Sequence, residues 1–383
     1  MKLRVLYISL LMVTLLVVVI RCKQVYAPPA IKATNNYLVV DGFINTGANA
    51  VSSINLNRTR GLNDSTPSGI PELHAKISIV ASGGAGYPLT DTAGNGTYTS
   101  APLNLDINQR YSLEITTSDG RKYASDAVSC KRTPPIDSVY WRQPGDLTIY
   151  ATTHDPANNT RYYRFDYLET WEHDANLQTP WIVVNGRITA ADSLTQRSQC
   201  WTTVPSGNVL LANSTALSTD VINGFALTTI PYGDTRFNIK YTILVRDYAL
   251  SEDAYNYWLL VQKTSDNLGT LFDLQPTQLL GNIHCTSNPS EAVIGYLSAT
   301  SVQEQRIFIY RYYLNSWPHN DLTYGCDSIS IPKNPADALI YTYPDTLYAP
   351  WYFITNGPLV LASRICLDCT LFGGSNKRPS FWQ

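Results

Sequence analysis

The sequence predicts a mainly β protein: two successive β-sandwiches, one helix in the second, and a C-terminal tail pinned by disulfides. Three observations carry that reading. Charged residues make up only 15% of the 383 and hydrophobic ones 44%, against roughly 25% charge in an average soluble domain, which fits neither a disordered chain nor a coiled coil. The 26 Tyr and 8 Trp stand against 9 Phe and 2 Met, and Tyr and Trp favour strands and half-wet surfaces over helical cores. From residue 37 onward, short apolar or alternating runs are broken by Gly, Asn, Asp and Pro at the ~8–12-residue spacing of a sandwich. No repeat of fixed period is visible, which argues against a propeller or solenoid.

The chain opens with Lys2 and Arg4, followed by an apolar run from Val5 to Ile20 that is interrupted only by Tyr7, Ser9 and Thr14; Cys22 comes next but one. Residues 1–21 are expected to be a signal peptide, since the run falls short of the ~20 residues of a membrane-spanning helix. Bacterial lipoproteins carry their diacylated cysteine directly behind such a run, so Cys22 is the candidate lipidation site. Arg21 stands where a small residue is usual, and an uncleaved anchor is the alternative. Residues 22–36 form a tether, because Pro28 and Pro29 forbid a helix. Without Lys2, Arg4 and Arg21, 25 of the 28 basic residues face 30 acidic ones, a balance against any nucleic-acid partner.

Residues 37–131 are expected to form an immunoglobulin-like β-sandwich. Tyr37 to Ile44 is its first strand, bent at Gly42; Val51 to Thr59 alternates; Ala75 to Val80 puts Ile77 and Ile79 on one face. Tyr111 to Thr117 alternates again, and Asp119-Gly120 signals a hairpin. Thr133-Pro134-Pro135 is a linker. Residues 136–314 are expected to form a larger sandwich that resembles fibronectin type III domains, from the strand–turn–strand of Leu147 to Thr152, His154-Asp155-Pro156 and the Tyr-rich Arg161 to Leu168. Further strands are expected around Trp181 to Arg187 and Trp201 to Val209, with a central strand from Arg236 to Arg246. Ser251 caps a helix over residues 252–265, with Glu252 and Asp253 in its first turn and Ala254, Trp258 and Val261 as its buried stripe. Val293 to Ala299 and Arg306 to Leu314 read as closing strands. Residues 315–383, rich in Cys, Tyr and Pro, are expected to lie over the second domain.

Several motifs in order then carry a resemblance. They are Leu38-Val-Val-Asp-Gly-Phe-Ile44, Tyr111-Ser-Leu-Glu-Ile115 with Asp119-Gly-Arg-Lys-Tyr123, Ile136-Asp-Ser-Val139, Gly269-Thr-Leu-Phe-Asp-Leu-Gln-Pro276, Ile294-Gly-Tyr-Leu-Ser-Ala299 and Cys366-Leu-Asp-Cys369. The sequence resembles the Bacteroidota lipoproteins grouped as domain of unknown function 4249. That resemblance implies an envelope lipoprotein, often encoded beside TonB-dependent outer-membrane receptors. It implies no activity and carries over no catalytic residue.

Setting Cys22 aside leaves Cys130, Cys200, Cys285, Cys326, Cys366 and Cys369, an even count that in an exported chain favours disulfides. Cys326 is expected to pair with Cys366 or Cys369. A redox role for Cys366-x-x-Cys369, or a zinc site completed by Cys326 and His319, is the alternative. His74, His154, His173, His284 and His319 show no spacing that suggests a metal, and no Gly-x-Ser-x-Gly, His-Glu-x-x-His or phosphate loop occurs. Neither cofactor nor metal is expected. Tyr310, Tyr312, Trp317 and Trp351 mark the densest aromatic stretches and are the candidate binding residues. Asp-Ser/Thr pairs followed by a small or aliphatic residue, the O-glycan acceptor pattern that the resemblance implies, make Ser65 and Thr92 candidate glycosylation sites.

The expected function is that of a non-enzymatic, lipid-anchored outer-membrane protein, an accessory or binding partner of a TonB-dependent receptor, with its ligand unknown. An envelope hydrolase with a carboxylate pair scattered through the sequence, or a structural or adhesive surface lipoprotein, are the alternatives. A cleft holding two carboxylates ~5–10 Å apart would favour the hydrolase; a flat aromatic patch with no cleft would favour a protein partner.

Overall fold

The computed structural model describes residues 36–60, 69–184, 187–192, 194–266, 281–319, 325–331, 347–355 and 357–383. The expected signal peptide, Cys22, the expected tether up to residue 35, Ser65 and the motif 269–276 lie outside them.

The first body begins with β1 (Leu38–Asn45) and β2 (Ser53–Arg58), antiparallel neighbours from Leu38 opposite Arg58 to Phe43 opposite Ser53. Gly42 has φ +136°, and a Cβ there would stand 2.3 Å from the Ser53 carbonyl oxygen, so the bend read from the sequence is one that only glycine can make. A short β3 (Ile70–Pro71) edges β2. There follow β4 (Lys76–Ala81), β5 (Gly86–Thr90), β6 (Thr97–Ser100), β7 (Arg110–Thr116), β8 (Lys122–Ser125) and β9 (Val128–Lys131). Period-two alternation sends Ile54 and Leu56, Ile77 and Ile79, and Tyr111, Leu113 and Ile115 into one core.

The second body follows the two prolines. Its strands are β10 (Ile136–Arg142), β11 (Leu147–His154), the long β12 (Tyr162–Asp174), the hairpin of β13 (Trp181–Val184) and β14 (Arg187–Ala190), β15 (Gln199–Pro205), β16 (Leu210–Asn213), β17 (Val221–Ile230) and β18 (Lys240–Leu250). One sheet has the order β10-β11-β17; in the other, β12 pairs with β15 and β16 along one edge and with β18 along the other. The two sheets share a core in which Ile149 and Ala151 meet Phe165, Ile243 and Val245. Helix α1 (Glu252–Asp266) then starts where its cap predicts, the Ala254 N–H donating to Ser251 Oγ at 3.2 Å. Its buried residues are Ala254 and Tyr257, while Trp258 is only half-buried and lies under the Arg164 guanidinium at 4.4 Å.

The chain next returns to the first body, against the sequence reading. β19 (Ile283–Cys285) pairs with β8; β20 (Val293–Ile294) runs parallel to the start of β1; and β21 (Ala299–Thr300) sits between the end of β1 and β9, parallel to both. Because β9 also pairs with β7, the ladder closes as β7-β4-β5-β6-β2-β1-β21-β9, an eight-stranded barrel. Two expectations are corrected here. The open immunoglobulin-like sandwich over residues 37–131 is a closed barrel, and residues 283–300 belong to it rather than to the second domain. Alternation identifies a strand but not its partner, and the returning segment covers edges that residues 37–131 alone would leave bare. β22 (Val302–Tyr310) then goes back to pair with β18.

An ion cluster fastens the returning segment. Glu291 accepts from Tyr123 Oη at 2.7 Å and from Arg121 Nη1 at 3.0 Å, and the buried Arg58 lies 3.4 Å away while also holding Glu72 at 2.6 Å. Burial acts to raise the Glu291 pKa, but the hydrogen bonds from Tyr123 and Arg121 outweigh it and hold the carboxyl below its ordinary 4.5. A depressed carboxylate contributes stability that is present above the ordinary value and lost as the pH falls through the native one. Urea titrations at falling pH should therefore show acid destabilisation beginning below about pH 5, and Glu291→Gln should flatten that limb. An unchanged acid limb in the variant would assign the loss to other carboxylates.

The tail forms a small sheet, β23 (Ser328–Ile331), β24 (Tyr348–Phe353) and β25 (Leu359–Ser363) in the order β23-β25-β24, followed by α2 (Arg364–Leu367) and a 3₁₀ turn, Cys369–Phe372. Two disulfides hold it, Cys200–Cys369 and Cys326–Cys366. Cys369 thus ties the tail to β15 of the second body. Beyond it, Ser375 exchanges backbone hydrogen bonds with Trp201, and Trp382 packs edge-on against Trp201 and Phe308.

Candidate ligand cleft and aromatic edge

The two tail disulfides bring together segments far apart in sequence. The Cys369 N–H donates to the Arg197 carbonyl at 2.8 Å, and the Leu177 N–H donates to that of Cys366 at 2.8 Å. Thr179 Oγ1 lies 2.8 and 2.9 Å from the Pro350 and Trp351 carbonyl oxygens, so the β13–β14 hairpin is stapled to β24. Between these walls lies a cleft of about 520 Å³, within the roughly 300–1,000 Å³ of small-molecule sites.

The apolar residues of the lining include Trp181, Ile182, Val183, Pro350 and Leu367. Its charged residues are Arg197, Arg364 and Asp368. The two guanidiniums share a single oxygen, Asp368 Oδ2, at 3.0 and 3.4 Å; Oδ1 of the same carboxylate accepts the Thr370 N–H at 3.1 Å and its hydroxyl. Asp368 is buried, while Arg197 is half exposed and commits Nη1 to it. Arg197, the more exposed of the two guanidiniums, is the charged group that the cleft presents.

The rim is hydrophobic. Tyr352, Phe353 and Ile354 at the end of β24 are 42–44% exposed, Val184 of the hairpin is 45% exposed, and Trp181 meets Phe353 edge-on at 5.0 Å. Trp351, a candidate binding residue, is half-buried here with Tyr352 against it at 4.8 Å. The other candidates lie elsewhere. Tyr310, at the end of β22, has its ring 4.8 Å from Lys240 Nζ; Tyr312 is 72% exposed and lies tilted against Tyr313 at 4.2 Å. Trp317 is corrected outright: it is 5% exposed, donates its indole N–H to the Asp234 carbonyl and packs on Phe237 and Tyr232 as part of the core.

The cysteine expectation is corrected in part. Cys130 and Cys285 are thiols, the first half-buried and the second buried, since their strands β9 and β19 are not neighbours in the sheet. Cys366 and Cys369 each bond to a distant partner, so they form neither a redox pair with each other nor a zinc site. Thr92 is exposed between β5 and β6, where Asp91 accepts the Gly94, Asn95 and Gly96 N–H groups; the Asp-Thr pair thus also shapes a turn. A larger groove, about 750 Å³, runs along the outside of β4 and β5 and includes Asp91 and Glu114. Asp91 is engaged by that turn, and we regard the groove as a pleated strand surface rather than a site. Arg197, Arg364, Asp368 and Thr370 were not legible in the sequence, because only the disulfide connectivity brings residues 194–200 beside 364–370.

The fold is that of a mainly β protein of two interlocked bodies with a disulfide-fastened tail. The chain belongs to the family described as Domain of unknown function (DUF4249), which it matches over residues 24–306. No curated protein matches it. Among solved structures it is similar to a DUF4785 family protein from Legionella pneumophila at 10% identity and a TM-score of 0.19; the match covers 55% of this chain and about half, 52%, of that one. A likeness of that degree carries no argument about this chain.

Proposed function

We propose that this chain is a non-enzymatic, lipid-anchored envelope protein of Bacteroidota, held in the outer membrane through Cys22, whose tail face serves a TonB-dependent receptor as a binding partner. The observation that carries this is the exposed edge Tyr352-Phe353-Ile354 beside the cleft: an apolar, aromatic rim is the composition of interfaces. Family membership and the apolar run ending at Cys22 support the anchor. Among the described residues the cleft has one carboxylate, Asp368, already bonded to two arginines and Thr370, which favours binding over two-carboxylate hydrolysis there. The fibronectin-like reading of the second body fits its three-stranded sheet against one ordered β15-β12-β18-β22. Affinity capture of the native protein from its own membranes is the test. Co-purification of a TonB-dependent receptor, lost in Phe353→Asp, is the expected result; recovery of the protein alone, or in the soluble fraction, would overturn the proposal.

A further inference from the structure

We infer that the cleft between the β13–β14 hairpin and the tail is a site for a small organic acid, a carboxylate on an apolar or aromatic body; the inference rests on the tail face being the binding face. The chemistry follows from the lining. A guanidinium recognises a planar oxyanion through parallel N–H donors, and Arg197 lines the cleft half exposed with one nitrogen committed to Asp368. Asp368 is bonded at both oxygens, so it positions the arginines and its charge is engaged within the protein. The apolar lining, Trp181, Ile182 and Leu367 among it, offers a surface for a ring or alkyl chain. The half-exposed Arg197 guanidinium disfavours a cationic ligand.

The two disulfides engage Cys366 and Cys369, on either side of Asp368 in the sequence. The arginine pair is therefore preorganised, since Arg364, Asp368 and Arg197 reside on segments that the two bonds hold in register.

Calorimetric titration of the full, disulfide-intact chain tests this with aryl-alkyl carboxylates of graded length, 4-phenylbutyrate among them, each against its neutral amide. The acids should bind at least ten-fold more tightly than the amides. Arg197→Gln should weaken the acids about ten-fold and leave the amides unchanged, and Trp181→Ala should weaken both. Short apolar peptides with free or amidated C-termini form a second arm: tighter binding of the free peptide than of any small acid would assign the carboxylate to a peptide end. Acids and amides that bind alike, no binding in either arm, or acid binding unaffected by Arg197→Gln would overturn the inference. The acid-against-amide comparison uses the unaltered protein and does not depend on a variant folding. Receptor co-purification that persists while every acid fails would sink this inference and leave the receptor proposal standing.

Discussion

Gly295→Val should destabilise the protein by on the order of 4 kcal/mol or more, enough to unfold the first body at moderate temperature. Gly295 lies between β20 and β21 with φ +143°, and a Cβ there would stand 2.2 Å from the Val40 carbonyl oxygen. Val40 belongs to β1, so a side chain at this point drives the returning segment off the strand it must join. Gly281 is packed against the same place, 1.6 Å from the Gly295 carbonyl oxygen if given a Cβ. Gly84 supplies the control: it too has positive φ, +86°, but has no atom within 4 Å of an added Cβ, so Gly84→Ala should cost only about 1 kcal/mol. Urea denaturation of the two variants separates the outcomes. Equal losses would mean that the barrel does not depend on the close approach of residues 281–301.

Removing the Cys200–Cys369 disulfide should be the second large effect. Its 169-residue sequence separation gives on the order of 5 kcal/mol in a chain-entropy account, an upper figure, against about 4 kcal/mol for the 40-residue Cys326–Cys366 loop. The second loop lies within the first, so the two losses should not add. Cys369→Ser with Cys200→Ser should release the tail, and brief proteolysis should cut within residues 347–383 while the barrel stays intact. Thiol titration of the denatured, unreduced chain should find Cys130 and Cys285 reactive and the other four described cysteines silent. A resistant tail in the double variant would show that Trp382, Trp201 and Ser375 hold it unaided.

Much of the fold was legible where a signal is local. The alternation of β1, β4 and β7, the prolines at 134–135 and the Ser251 cap each act within a few residues, and each appears where the sequence places it. What was illegible depends on partners. Val293 and Ala299 read correctly as strand residues, yet nothing in their alternation says that they join β1 rather than β18. Trp317 looked like part of an exposed aromatic group, because a tryptophan's surroundings are set by Phe237 and Asp234, some eighty positions earlier. The cleft was hidden for the same reason: Arg197 and Asp368 meet through tertiary contacts that no spacing encodes.

The parallel seating of β1 has a mechanical consequence. A pull on the N-terminal segment, with the rest of the molecule held, draws β1 lengthwise between antiparallel β2 and parallel β20 and β21. Hydrogen bonds that run across a strand are then loaded in shear, together, rather than peeled one after another. Because β20 and β21 arrive on a segment whose two ends are rooted in the second body, at α1 and β22, tension entering at Leu38 is shared across both bodies, and neither can be drawn out while the other stays whole.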